Sequence, residues 1–140
     1  MSGIVPTIDA VNALVESEFP AAHAGGFRCV ALGEGFAEAR WAYDADALRP
    51  GGYISGPTQF TLADTALWFL AFTVVGLEPM AVTADLQITF LRPAVGGDLV
   101  ARAELLRAGR TRISGRVELR VDGADDRLVS HATGSYSRPA

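Results

Sequence analysis

The sequence has no lysine, one cysteine and two histidines, and all twelve of its basic residues are arginine. A lone Cys29 leaves no partner for an intramolecular disulfide, so a disulfide-stapled fold is excluded. With only His23 and His131 beside it, no Cys/His cluster of metal-ligand spacing exists, and no metal is expected. Basic charge is also scarce overall: the net charge is −4, which argues against general nucleic-acid binding. The first residues, MSGIVPTIDAVNALVES, lack a basic start and a continuous apolar run, so no signal peptide is expected. Asp64 interrupts the longest apolar stretch, which argues against a membrane span. Together these absences predict a cytoplasmic protein.

What is present is the composition of one globular domain over residues 1–140, with 49% hydrophobic and 20% charged residues. A chain of this size buries roughly two thirds of its unfolded surface. The charge is uneven. Residues 1–80 carry three Arg against nine acids, and residues 81–140 carry nine Arg against seven acids. Arginine suits bidentate phosphate recognition, although solvated Arg on strand faces accounts equally for the pattern.

The chain is organised around GGYISGPTQFTLADTALWFLAFTVVG, residues 51–76. Pro57 is suited to a helix start and Gly76 to a helix stop. Between them the segment is apolar on nearly every face, which predicts a buried helix over 57–75. Its single charge is Asp64. One account has Asp64 satisfied by a neighbouring hydroxyl such as Thr61 or Thr65, or by a distant Arg. The other makes it a base or nucleophile beside a cleft. The Gly56–Pro57 start offers backbone N–H groups to an anion or a developing oxyanion. Gly56 and Asp64 are eight residues apart, about 12 Å along a helix. One reacting centre cannot touch both within one chain. Two antiparallel copies of the helix can, so shared chemistry predicts a two-fold dimer.

Before this helix, Ile8 to Phe19 has helical periodicity, Ala21 to Gly26 reads as loop, and Phe27 to Leu32 with Gly35 to Tyr43 reads as a hairpin. After it the period changes to two. Strands are expected over 81–91, 98–106, 111–122 and 127–137. Val82, Ala84, Leu86, Ile88 and Phe90 share one face of the first. Ile113, Gly115, Val117, Leu119 and Val121 point inward from the third. The small residues Ser130, Ala132 and Gly134 let the helix approach the last. The class is α+β: a long central helix covered by a curved antiparallel sheet of about five to six strands.

Several stretches carry a resemblance: Gly56, Phe60, Leu62-Ala63-Asp64-Thr65-Ala66, Ala81 to Asp85, Phe90-Leu91-Arg92-Pro93, Gly97-Asp98 and Arg107 to Thr111. In these the chain resembles the hotdog-fold acyl-CoA thioesterases of the PaaI-like branch of the 4-hydroxybenzoyl-CoA thioesterase superfamily. The likeness covers roughly residues 49–137. It implies that the Gly56 N–H polarises a thioester carbonyl while Asp64 of the other subunit activates water or attacks directly. Thr83 takes the place of a hydroxyl residue that helps hold the water. The family's His-Gly-Gly is here Ser55-Gly56-Pro57, and its Asn six residues before the His is Arg49. Ser55 therefore stands where a substrate-positioning His is usual.

Tyr53, Gln59 and Thr65 flank this implied site as candidate substrate contacts. Arg92, Arg107 and Arg110, at strand ends and turns, are candidates for holding coenzyme A, which enters as part of the substrate. No separate cofactor is expected. The expected partners are a small-molecule acyl-CoA and further copies of the chain, as a dimer or a dimer of dimers, without nucleic acid or membrane. A hotdog acyl-CoA binding module without chemistry is the alternative, motivated by the changed His and Asn positions. An isomerase using Asp64 as a base is a third. His23 and His131 offer no Ser-His-Asp triad, and Phe69 stands where a hotdog hydratase would carry His.

Overall fold

The computed structural model describes residues 5–139. Helix α1 (Ile8–Glu18) starts at Thr7, whose hydroxyl accepts from the Ala10 N–H at 3.1 Å, and buries Val11 and Val15. A short helix α2 (Pro20–Ala24) follows. This corrects the expectation of a loop there: Pro20 ends α1 but is well placed to open the next turn. Strands β1 (Phe27–Gly33) and β2 (Phe36–Trp41) form the expected hairpin. A single 3₁₀ turn (Ala45–Ala47) leads toward α3 (Gly56–Val75). Then come β3 (Val82–Phe90), β4 (Leu99–Ala108), β5 (Arg112–Val121) and β6 (Ser130–Ser137).

The six strands form one antiparallel sheet in the order β1-β2-β4-β5-β6-β3. It wraps α3, which packs against every strand. This is the hotdog arrangement. Leu62, Phe69, Leu70 and Phe72 of α3 are fully buried, facing Leu99, Val117 and Leu119 of the sheet within one core. By length and composition α3 would suffice to cross a bilayer, contrary to the expectation that Asp64 disqualifies it. In the fold the sheet encloses it.

The close approach of helix and sheet depends on two glycines that face each other across β5 and β6. A Cβ on Gly115 would lie 2.6 Å from Leu70 Cδ2, and one on Gly134 would lie 3.0 Å from Leu67 Cδ1. The inward alternation of β5 is as expected, with Ile113, Gly115, Val117, Leu119 and Val121 all buried.

The alternation expected for β3 is not. A bulge between Thr83 and Asp85 leaves Ala84 unpaired. Leu86 and Ile88 pack against the core, but the extra residue turns Thr83, rather than Val82 or Ala84, toward the helix. Val82 is 57% exposed.

The two borders of the sheet are treated differently. At β1, the Asn12 carboxamide of α1 accepts from the Cys29 N–H at 2.8 Å and donates to its carbonyl at 2.9 Å. At β3 no further strand follows among the described residues. Exposed apolar side chains cluster on and next to that strand: Met80, Val82, Phe90 and Leu91.

Candidate active site

Asp64 stands midway along α3, half-buried, and one of its oxygens is satisfied by hydroxyls other than those its sequence neighbours supply. Thr65 does not satisfy it, because the Thr65 hydroxyl donates back to the Thr61 carbonyl at 2.7 Å. No Arg reaches it among the described residues. Instead the Thr83 hydroxyl donates to Asp64 Oδ1 at 2.7 Å. The Tyr136 phenol also reaches Oδ1 at 2.7 Å and the Asp64 carbonyl at 3.0 Å. Both donors converge on one carboxylate oxygen, and Oδ2 has no hydrogen-bond partner among the described residues.

Burial, followed by the negative charge of Asp64, pushes the Tyr136 phenol well above its ordinary value. It therefore keeps its proton and acts as a donor. Asp64 and its two donors line an open cavity of about 260 Å³ with Phe19, Thr65 and Trp68. The ring of Phe19 meets that of Trp68 edge-on, 6.3 Å between centroids. Sequence reasoning missed Tyr136, Phe19 and Trp68. For Tyr136 a signal existed: it continues the helix-facing row Ser130, Ala132, Gly134 and is the one large member of it. It also lies opposite Thr83 in the β3–β6 register.

The second part of the site lies at the start of α3. Ser55 is the N-cap: its hydroxyl accepts from the Thr58 N–H at 3.2 Å and lies 3.0 Å from the Thr58 hydroxyl. The Gln59 N–H bonds the Ser55 carbonyl at 3.1 Å, and Pro57 has no N–H to offer. That leaves Gly56 as the one N–H of the first turn without a partner among the described residues. The helix begins one residue earlier than Pro57, so Gly56 is its first residue. The Phe90 ring lies against it, with Cζ 3.2 Å from where a Cβ would stand. Gly56 opens into a cavity of about 540 Å³ shared with Arg49, Tyr53, Gln59, Phe90 and Arg92.

Thus the structure divides the expected residues into groups. Asp64, Thr83 and Thr65 line one cavity. Gly56, Tyr53, Gln59 and Arg92 line another. Ser55 lines neither, and its hydroxyl is engaged in capping. Arg107 and Arg110 belong to a third, polar cavity of about 760 Å³ at the β4–β5 turn, with Arg112. Of the arginines, Arg40, Arg102, Arg116 and Arg120 pair with acids; Arg92, Arg107 and Arg110, like Arg28, Arg49, Arg112, Arg127 and Arg138, make no ion pair among the described residues. Also among the described residues, no three His, Cys, Asp or Glu side chains gather as a metal site.

The helix wrapped by one antiparallel sheet and the carboxylate on that helix define the class, and comparison with known proteins agrees. The sequence profile of the thioesterase superfamily matches residues 51–127. The chain belongs to that superfamily. A candidate thioesterase from Silicibacter has 36% identity over 98% of this chain and 94% of its own, with a TM-score of 0.88. The phenylacetic acid degradation protein PaaI of Thermus thermophilus, solved in a mutant form, has 28% identity over 86% of this chain and 99% of its own, TM-score 0.73. The PaaI protein of Escherichia coli shares the fold at 23% identity, covering 98% of this chain and 96% of its own, TM-score 0.82. No curated protein sequence matches significantly. The chain is thus a PaaI-like hotdog protein of the thioesterase superfamily.

Proposed function

We propose that this chain hydrolyses an acyl-CoA thioester at a site shared between two copies of itself. In this reading the Gly56 N–H of one copy donates to the thioester carbonyl oxygen. Oδ2 of the partner's Asp64 takes a proton from water, whose oxygen attacks the carbonyl carbon. The negative charge that develops on the carbonyl oxygen is stabilised by the Gly56 N–H. Collapse of that adduct expels the thiolate, which then takes up the proton, and leaves the carboxylic acid. Direct attack by Asp64 Oδ2, with water cleaving the resulting anhydride, reaches the same products.

The observation that carries this reading is the pairing of two unused groups in separate open cavities: one free amide at a helix start and one free carboxylate oxygen. Within a chain they are about 12 Å apart along α3, so neither cavity is a complete acyl-transfer site. The unsealed β3 edge with its exposed Val82 and Phe90 supports pairing there, since open apolar edges recruit further strands. Arg92, and the Arg107–Arg110 turn with its polar cavity, suit the phosphates of coenzyme A. No other cofactor is required. A cytoplasmic location suits the lone buried Cys29.

The test is Asp64→Asn. Thiol release from an acyl-CoA panel should fall by about three orders of magnitude with the oligomer intact. Unchanged turnover refutes the role. The engagement of Ser55 as a helix cap favours a second reading, a binding module without chemistry. Saturable acyl-CoA binding by the wild-type chain without thiol release would establish that one.

A further inference from the structure

Gln59 is an anomaly of the first turn of α3. It is 4% exposed, and glutamine is seldom so buried without full hydrogen bonding. Its Nε2 donates to the Ile54 carbonyl at 3.2 Å, which fixes the orientation of the carboxamide: the reverse would set two oxygens against each other. The other end, Oε1, is buried and has no partner. An unpaired buried acceptor opposes folding. A leucine or methionine would fill the same space but leave the buried Ile54 carbonyl without its partner, so the Nε2 end is accounted for by that bond and the Oε1 end is not.

Its location suggests what completes it. Gln59 lines the cavity that Gly56 opens into. It follows Gly56 by one helical turn, about 4.5 Å of rise, and helical side chains lean back toward the helix start. The bond to Ile54, which precedes Gly56, shows that the carboxamide folds back in this way. Gln59 is therefore the buried side chain of this cavity one turn from the amide that the proposed mechanism assigns to the thioester carbonyl.

We infer that Gln59 Oε1 accepts a hydrogen bond from a donor on the substrate two or three bonds from the thioester carbon, and so helps to select the substrate. This rests on the hydrolase reading above. The donor the cavity would favour is a hydroxyl on the second or third carbon of the acyl chain. A ring hydroxyl at the far end of an aryl group lies too far from the carbonyl to reach the same atom. The first amide N–H of the pantetheine arm, two carbons beyond the sulfur, is four bonds from the thioester carbon and common to every acyl-CoA, so it cannot select among them. An apolar pocket alone discriminates poorly against an added hydroxyl, whereas a site with a buried hydrogen-bonding group strongly prefers the ligand that satisfies it.

The experiment compares kcat/KM for a 3-hydroxyacyl-CoA and the unsubstituted acyl-CoA of equal length, in the wild-type chain and in Gln59→Met. Methionine keeps the length and removes both the acceptor and the donor to Ile54, and Gln59→Glu, below, separates the two. The wild-type chain should prefer the 3-hydroxyacyl substrate by about tenfold or more, and the preference should collapse toward unity in the variant. An equal loss of about tenfold on both substrates overturns the inference, because it shows a contact with the part common to every acyl-CoA, the pantetheine arm. Unaltered constants on both, in a variant with wild-type oligomeric state and melting behaviour, overturn the inference and leave the hydrolase reading standing. Absence of thiol release from the wild-type chain on any thioester removes the hydrolase reading itself. Gln59→Glu provides a second variant: its acceptor is retained but its donor to Ile54 is lost, so a preference that survives there confirms the oxygen as the determinant.

Discussion

The phenolic oxygen of Tyr136 and Oδ1 of Asp64 are 2.7 Å apart, and the Thr83 hydroxyl meets the same oxygen at the same distance. Two donors on one oxygen oppose rotation of the carboxylate. The free oxygen is thereby presented to the cavity in one orientation, which is what a base or nucleophile requires. Tyr136 positions rather than reacts, because burial and the neighbouring charge hold its proton in place.

Removal of that donor should show in turnover more than in binding. Tyr136→Phe should lower kcat for thiol release by about tenfold, in keeping with a hydrogen bond to a charged group, with KM changing by less. Thr83→Val should behave similarly. Because both hydroxyls hold one atom, the double variant should lose more than the product of the single losses. A Tyr136→Phe enzyme with wild-type kcat would show that the phenol merely fills space.

A shared site makes a second prediction, of complementation. Asp64→Asn supplies a normal Gly56, and Gly56→Val, whose side chain collides with Phe90, supplies a normal Asp64. Each alone should be nearly inactive. After subunit exchange, half of the pairs are mixed and each carries one intact site. About one quarter of wild-type activity should then return. Mixed oligomers seen by native mass spectrometry without any recovery would place both groups in one chain's reaction, against the geometry proposed.

The glycine of β6 sets the distance between helix and sheet. In Gly134→Ala the new methyl carbon would stand 2.6 Å from the Asp85 carbonyl oxygen and 2.9 Å from Leu86 Cδ1. A backbone oxygen cannot rotate away as a side chain can, so β3 must shift. The expected cost is about 1–3 kcal/mol, read as a lower denaturant midpoint at unchanged slope. A midpoint equal to wild type would mean that the strand moves freely.

Acid stability should depend on Asp98. Its carboxylate accepts from the Tyr43 N–H at 2.7 Å and from Arg40 Nε at 2.8 Å. These contacts, the backbone N–H first, hold its pKa below the ordinary value of 3.8. A folded-state value below the unfolded one stabilises the fold above the unfolded pKa, and the benefit is lost as pH falls through the folded one. Asp98→Asn should therefore be less stable than wild type at pH 7 and converge with it as pH falls through the folded-state value, below the ordinary 3.8. A constant difference across that range would assign the effect to something other than charge.

Much of this was legible in the residues, for reasons that can be named. Pro57 and Gly76 are strong local signals, and they bound α3 to within a residue. The alternation of β5 was equally plain, because each inward position is apolar or glycine. Where the reading stumbled, the cause was not local. Strict period two put Val82 and Ala84 inward and so conflicted with the place that the family resemblance implied for Thr83. The surplus Ala84 resolves the conflict, and a bulge has no reliable sequence mark. Tyr136 lies 72 residues from Asp64 and touches it only because β6 crosses beneath α3. Thr65 looked like a partner from its adjacency, yet its hydroxyl is used by the helix backbone.

The contrast between the two borders of the sheet determines how large an assembly this edge can build. Each chain has one finished margin, where Asn12 occupies the peptide groups of Cys29, and one unfinished margin. Joining two unfinished margins about a two-fold axis uses up both and leaves finished ones facing outward. Further growth along such a ribbon would meet Asn12 at either end. Were Asn12 absent, both ends of that ribbon could take on further strands, and the same chain would have a route to endless fibres.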